Sequence, residues 1–161
     1  MKNSPLDALD QKILRVVQAN ADLGIEKIAG LVGSSRTPTW NRLKKLKAQG
    51  YIKRTVALLD AEKLGLLETF FVSIRTDQHS QDWLDAFAKI VEESPEIQEV
   101  HRLTGDIDYL MKVKVASSRE FDAFYKRFIG RINLFNVTSS LSMETLKEST
   151  ELSVTSSTPT R

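Results

Sequence analysis

The chain contains no cysteine, which excludes both a disulfide framework and a thiolate metal site. Histidine is almost as scarce: His79 and His101 are the two in the chain, and their spacing matches no metal-binding motif. No apolar run approaches the roughly 20 residues that a membrane-spanning helix needs. The N-terminal stretch MKNSPLDALDQ has no apolar segment of the signal-peptide kind, so the sequon Asn136-Val137-Thr138 has no secretory context. No nucleophile stands in a recognisable pattern with a base. These absences set an expectation of a cytoplasmic protein that is not an enzyme, with no cofactor, no metal and no membrane partner.

What is present is charge, unevenly placed. The formal net charge is only +2 over 161 residues. Residues 1–67 nevertheless hold 12 Lys and Arg against 6 Asp and Glu, whereas residues 68–161 hold 11 against 15. A basic first part and a mildly acidic second part suggest two small modules, the first suited to a polyanion. Mixed charges that merely keep both surfaces soluble would give the same counts, so the choice turns on pattern.

The first module reads as three helices. Leu6, Leu9, Ile13, Leu14, Val16 and Val17 recur near a period of 3.6, with Asp7 and Asp10 near the positive N-terminal end of that helix. Ile25, Ile28, Ala29 and Val32 form a shorter apolar face, which Gly33 ends. Ser34 and Ser35 offer hydroxyl caps for a third helix, and Pro38 is tolerated in its first turn. Thr39, Leu43 and Leu46 lie at i, i+4 and i+7 and should face the core. Helix, tight turn and cationic helix, in that order, form a helix-turn-helix whose third helix suits a DNA major groove. Arg36, Thr37 and Asn41 are the candidates for base reading, and Arg42, Lys44 and Lys45 for phosphate; Ser35 at the helix start completes the DNA-binding set. Trp40 either covers the core edge, the better reading, or stands against sugar and phosphate. Tyr51 to Leu59 is rich in β-type residues and reads as a short wing or linker strand, with Lys53 and Arg54 as further phosphate contacts.

The second module alternates differently. Thr69–Ile74 reads as a strand, Trp83–Val91 as a helix, Val100–Leu103 and Tyr109–Val115 as strands around a Gly105-Asp106 turn, Phe121–Phe128 as a helix and Val137–Leu146 as a strand. The order βαββαβ is the ferredoxin-like split arrangement. One face of such a sheet is covered by helices, so the other needs a partner, most simply a second copy. Asp106 and Asp108 beside the turn either serve turn chemistry, as aspartates do, or bind an ammonium group, hold a metal ion or act as acid and base. His101 reads as a satisfied strand residue. The run ESTELSVTSSTPTR from Glu148 has little to bury and reads as a flexible tail beyond Leu152. The division is then a DNA-binding domain at 1–54, a linker or hinge strand at 55–67, a ferredoxin-like domain at 68–150 and a tail at 151–161.

From about residue 6 to residue 153 the chain resembles the Lrp/AsnC, or feast/famine, transcription regulators. The resemblance rests on LDALDQKIL at 6–14, SSRTPTWNRLKKLKAQGYI at 34–52, VALLDAEKLGL at 56–66, GDIDYLMKV at 105–113 and NVTSSLSMETLK at 136–147, in that order and spacing. It implies an α+β fold: an N-terminal winged helix-turn-helix and a C-terminal βαββαβ amino-acid-sensing domain. It also implies dimers paired sheet to sheet, which build octamers or similar closed assemblies. Double-stranded DNA and a small amino-acid effector are the implied partners, the effector sitting near the loop that matches Gly105 to Tyr109. Carried over residue by residue, Gly105, Asp106 and Asp108 from that loop and Thr138 and Ser140 from the next strand are the candidate effector contacts. Carboxylates accept an α-ammonium, and hydroxyls or backbone N–H groups meet an α-carboxylate.

Two departures stand out. Thr39 replaces the apolar residue the family prefers, so its hydroxyl needs a backbone partner. NADLG at 20–24 replaces the common DGR-type turn. TPTWNRLKKL, VALLDAEKLGL, DAFYKR and VTSS look most like the cysteine-responsive detoxification branch, with leucine or another small amino acid left open. The function expected is therefore a nucleoid-associated regulator whose operator binding responds to an amino acid. The competing readings are an architectural DNA-binding protein without an effector and a metabolite-binding regulatory subunit of an enzyme.

Overall fold

The computed structural model of the chain describes residues 6–155. They divide into two compact units. The first takes in the described residues up to Leu58 and from Lys147 onward, and the second is Leu59–Leu146.

The first unit is built on α1 (Ala8–Ala19), α2 (Ile25–Val32) and α3 (Arg36–Ala48). Asp7 caps α1: its carboxylate accepts the Asp10 N–H at 2.8 Å, and the Asp10 carboxylate accepts the Asp7 N–H in return. α2 stops at Gly33, whose φ of +69° is cheap only for glycine, and the Ser34 N–H closes the turn on the Ala29 carbonyl at 2.9 Å. Ile13, Leu14, Ile28, Val32, Leu43 and Leu46 form the core, with Leu6, Leu9, Val16 and Val17 packed on it as the 3.6 period anticipates. Ile13 and Leu46 are essentially solvent-free, and burial of each contributes about 1.5–3 kcal/mol. Tyr51 to Leu59 forms no strand, so the expected wing or linker strand is an irregular segment followed by a turn at 61–65. The two units meet in sequence inside the anticipated linker, at Leu58–Leu59.

The second unit carries β1 (Glu68–Arg75), α4 (Gln81–Glu92), β2 (Ile97–Arg102), β3 (Tyr109–Val115), α5 (Ser118–Ile129) and β4 (Asn136–Leu141). The order β2-β3-β1-β4, with every pair antiparallel, is the ferredoxin-like sheet. Alternation decides the faces. Phe70, Val72 and Ile74 of β1 and Tyr109, Met111, Val113 and Val115 of β3 are buried with Trp83, Phe87 and Ile90 of α4 and Phe124 and Phe128 of α5. Phe121 stacks on Phe70 with ring centroids 3.8 Å apart, and the Trp83 indole N–H donates to the Asn133 carbonyl at 3.0 Å. The opposite face, set by register, carries Phe71 and Ser73, Leu110 and Lys112, and Thr138 and Ser140. Glu99 also lies there, 3.3 Å from both His101 Nε2 and Lys112 Nζ, and these two hold its carboxyl below the usual range.

Candidate functional site

The surface of α3 follows from what it buries. Thr39, Leu43 and Leu46 point inward, so Ser35, Arg36, Thr37, Asn41, Lys44 and Lys45 are all exposed. Thr39 is fully buried and its hydroxyl donates to the Ser35 carbonyl at 2.8 Å, the backbone partner that this departure requires. Ser35 holds the N-cap position, yet its hydroxyl makes no capping bond; the expected hydroxyl cap is absent and the side chain stays exposed. Arg36 makes one loose contact, 3.4 Å, with the exposed Glu26, a pair that a phosphate or base would readily replace. Lys44 and Lys45 have no ion-pair partner among the described residues.

Arg42 and Trp40 differ from expectation. The Arg42 guanidinium is engaged inside the unit, 2.5 Å from Asp7 and 3.2 Å from Asp10, so it clamps α3 to the start of α1 before it meets any phosphate. The Asp10 N–H, and then Arg42, hold the Asp7 carboxyl below the ordinary aspartate range; Asp7 and then Asp10 raise Arg42 in turn. Trp40 does not cover the core edge: 55 % of it is exposed on α3, one turn from Arg36 and one from Lys44.

The second unit presents a cleft of about 340 Å³ lined by Arg75, Thr76, Asp77, Gly105, Asp106, Asp108 and Phe135. Main-chain bonds gather three separate stretches there. The Asp108 N–H donates to the Ile74 carbonyl at 2.9 Å, and the Phe135 N–H to the Arg75 carbonyl at 3.1 Å. Asp108 also accepts the Thr76 N–H through Oδ2 at 2.8 Å, so half of its carboxylate is spent on holding the end of β1. Gly105 turns the loop at φ +121°, a conformation that favours glycine. Asp106 is exposed and has no hydrogen-bond or ion-pair partner among the described residues. The Arg75 guanidinium lies 5.9 Å from the centre of the Phe135 ring. Three carboxylates and one guanidinium around a space of ligand size suit a small zwitterion. Among the described residues no group of His, Asp and Glu is placed to hold a metal ion, and no helix is long and apolar enough to cross a membrane.

Residues 6–47 match the AsnC-type helix-turn-helix domain, and residues 69–152 match the Lrp/AsnC ligand binding domain. The chain belongs to the Lrp/AsnC family. This Lrp/AsnC member is 48 % identical over 147 residues to the glutamate uptake regulatory protein of Zymomonas mobilis, covering 91 % of this chain and 90 % of that one. It is 42 % identical over 150 residues to the DNA-binding transcriptional activator DecR of Escherichia coli, covering 92 % and 99 %. An AsnC family transcriptional regulator from Agrobacterium tumefaciens superposes with a TM-score of 0.89 at 46 % identity, covering 92 % of this chain and 97 % of that one. A Neisseria meningitidis transcriptional regulator, solved as an L-Met complex, gives 0.88 at 29 % identity, covering 92 % and 96 %. The chain is thus a DNA-binding transcriptional regulator with a ligand-binding domain.

Of the effector residues expected in this Lrp/AsnC regulator, Gly105, Asp106 and Asp108 line the cleft. Thr138 and Ser140 do not; they stand on the open sheet face, opposite Ser73 and Phe71 of β1. Arg75, Thr76, Asp77 and Phe135 line it as well, and the sequence pattern does not single them out. Their one signal in sequence is the cationic end of an alternating strand, and nothing local joins position 75 to positions 106 and 135.

Proposed function

We propose that this regulator reads duplex DNA with the exposed face of α3 and adjusts that binding when a small amino acid occupies the cleft at the ends of β1 and β3. The observation that carries the effector half is Asp106, an unpartnered carboxylate that lines the same cleft of about 340 Å³ as the Arg75 guanidinium. Asp106, with Asp77 beside it, accepts the α-ammonium; Arg75 meets the α-carboxylate as a charge-assisted pair. Asp108 holds the wall. Relatives named for glutamate uptake or solved with L-Met support a free amino acid as the ligand class. Cysteine and leucine-like side chains belong to the same class.

On α3, Arg36, Thr37 and Asn41 reach base edges, with Ser35, Lys44 and Lys45 on the phosphate backbone. Arg42 contributes by fixing the helix. The regulator works as a dimer or larger closed assembly that pairs through the open sheet face, where Thr138 and Ser140 belong. Two α3 helices then address successive turns of the groove. It acts on DNA in the cytoplasm, associated with the nucleoid, and has no catalytic step. Effector response requires different affinities in two states of the assembly, a coupling of about 1–3 kcal/mol in typical cases.

The test is binding to the chain's own upstream DNA at fixed salt, with L-cysteine, L-leucine, L-glutamate and L-methionine added singly. One amino acid shifts the operator affinity, and Asp106→Ala abolishes that shift while DNA binding persists. Selective binding that ignores all four amino acids would replace this reading with an architectural one. Absence of DNA binding would favour a metabolic regulatory subunit.

A further inference from the structure

After the ligand-binding domain the chain returns to the first unit. There, one side chain of α1 reads both backbone groups of a single residue. Gln18 Oε1 accepts the Leu152 N–H at 3.0 Å, and Gln18 Nε2 donates to the Leu152 carbonyl at 2.9 Å. Arg15 Nη2 donates to the Val154 carbonyl at 2.8 Å. Residues 15 and 18 share a face of α1, and carbonyls two residues apart point to one side of an extended segment. The Val154 side chain is half-buried against the apolar core of α1–α3, whereas Ser153 is exposed. A segment expected to be free from residue 151 is therefore tied at two positions and packed at a third contact.

We propose that the outer face of α1 is a docking surface for an extended segment of this same chain, residues 151–155, and that the docked segment straps the ligand-binding domain to the DNA-binding unit. Recognition is of the backbone plus one apolar side chain, a mode that fixes an extended peptide without demanding a long motif. Its consequence is connectivity. A free tail would leave the ligand-binding domain joined to the DNA-binding unit only through the chain at Leu58–Leu59; the docked strap adds a second, non-covalent tie through Leu152 and Val154, beyond the boundary at Leu146–Lys147. The strand that leads to the strap, β4, starts at Asn136, immediately after the cleft residue Phe135. Beyond Leu141, the end of that strand, residues 142–151 lead to the anchored Leu152, so an effector that shifts Phe135 acts at the start of the stretch of chain that the strap holds on α1. This second role rests on the amino-acid reading above, whereas the docking itself does not.

The experiment uses the full chain and the double variant Arg15→Ala/Gln18→Ala, which touches neither the core nor the proposed DNA contacts. Amide hydrogen exchange of residues 150–155 should be at least about tenfold slower than in an unstructured chain for the parent, and unprotected in the double variant. Gln18→Glu retains the acceptor for Leu152 N–H but loses the donor, and should fall between the two. Operator affinity is then measured with and without the four amino acids above. A shift of about 5- to 150-fold in the parent should shrink to under about twofold in the double variant, with basal operator affinity and calorimetric amino-acid binding retained. Unprotected amides in the parent would overturn the docking. Protection that survives the double variant would overturn its assignment to Arg15 and Gln18, and a full effector shift in that variant would overturn the strap's coupling role. If no amino acid shifts the parent, the coupling role falls with the effector reading, and exchange still decides the docking.

Discussion

Asp7 joins two roles that are easily mistaken for surface decoration. It caps α1 and receives Arg42 from α3, so one carboxylate ends a helix and ties two helices together. Asp7→Ala should lower the stability of the first unit by about 1 kcal/mol, the usual cost of losing such a cap. The pH dependence has a definite sign. Because the folded-state carboxyl titrates below the ordinary value of about 3.9, its contribution is complete above that value and disappears as pH falls through the lower one. Urea unfolding followed by circular dichroism should show a constant gap between parent and variant from pH 7 to about pH 5, closing in stronger acid. Thr39 makes the opposite prediction. Its hydroxyl bonds the Ser35 carbonyl, but the Thr39 N–H already bonds that oxygen at 3.2 Å, so Thr39→Val strands no acceptor. The cost should stay under about 1 kcal/mol in the same assay.

At the scale of an element, α3 separates its jobs by face. Its inward face holds the fold, one flank is tied by Arg42, and the outward face is polar and cationic. Arg36→Ala should therefore narrow the gap between operator and random DNA, whereas Lys44→Ala should weaken both alike. Losing one phosphate contact should also flatten the slope of log affinity against log salt by about 0.9. Titrations of both variants at several salt concentrations distinguish these outcomes; identical behaviour to the parent in both would move the reading face elsewhere. Arg42→Ala belongs to a different class, since it should lower thermal stability as well as DNA affinity. The β1 strand shows the same division: Phe70, Val72 and Ile74 build the core, Phe71 and Ser73 face out, and Arg75 ends in the cleft.

The whole molecule is two units with separate cores, and the second has an open sheet face. Phe71 stands near the centre of that face, 40 % exposed, paired across the sheet with Lys112 and Ser140. A partner that packs there in a two-fold arrangement buries the same side chain from both copies. Phe71→Asp should accordingly reduce the sedimenting species toward monomer while leaving far-UV circular dichroism unchanged. Operator affinity should fall as well, because a lone α3 addresses only one half-site.

Helices, strands and their order were legible in the residues because each follows from a short-range period: 3.6 in Leu6–Val17, 2 in Tyr109–Val115, with Gly33 and Gly105 where the backbone must turn. The outward set on α3 was legible for the same reason, since three buried positions fix the remaining faces. Long-range pairing was not. Arg42 on Asp7, Arg75 and Phe135 beside Asp106, and Leu152 on Gln18 each join residues far apart in the chain, and no local period records such meetings. Trp40 illustrates the limit from the other side: helical spacing places it on a flank, and only the packing of α1 and α2 decides whether that flank is covered. Local propensity thus determined the elements and the cationic outer face of α3, while tertiary packing decided which charges are spent on the fold and which stay unpaired at the surface.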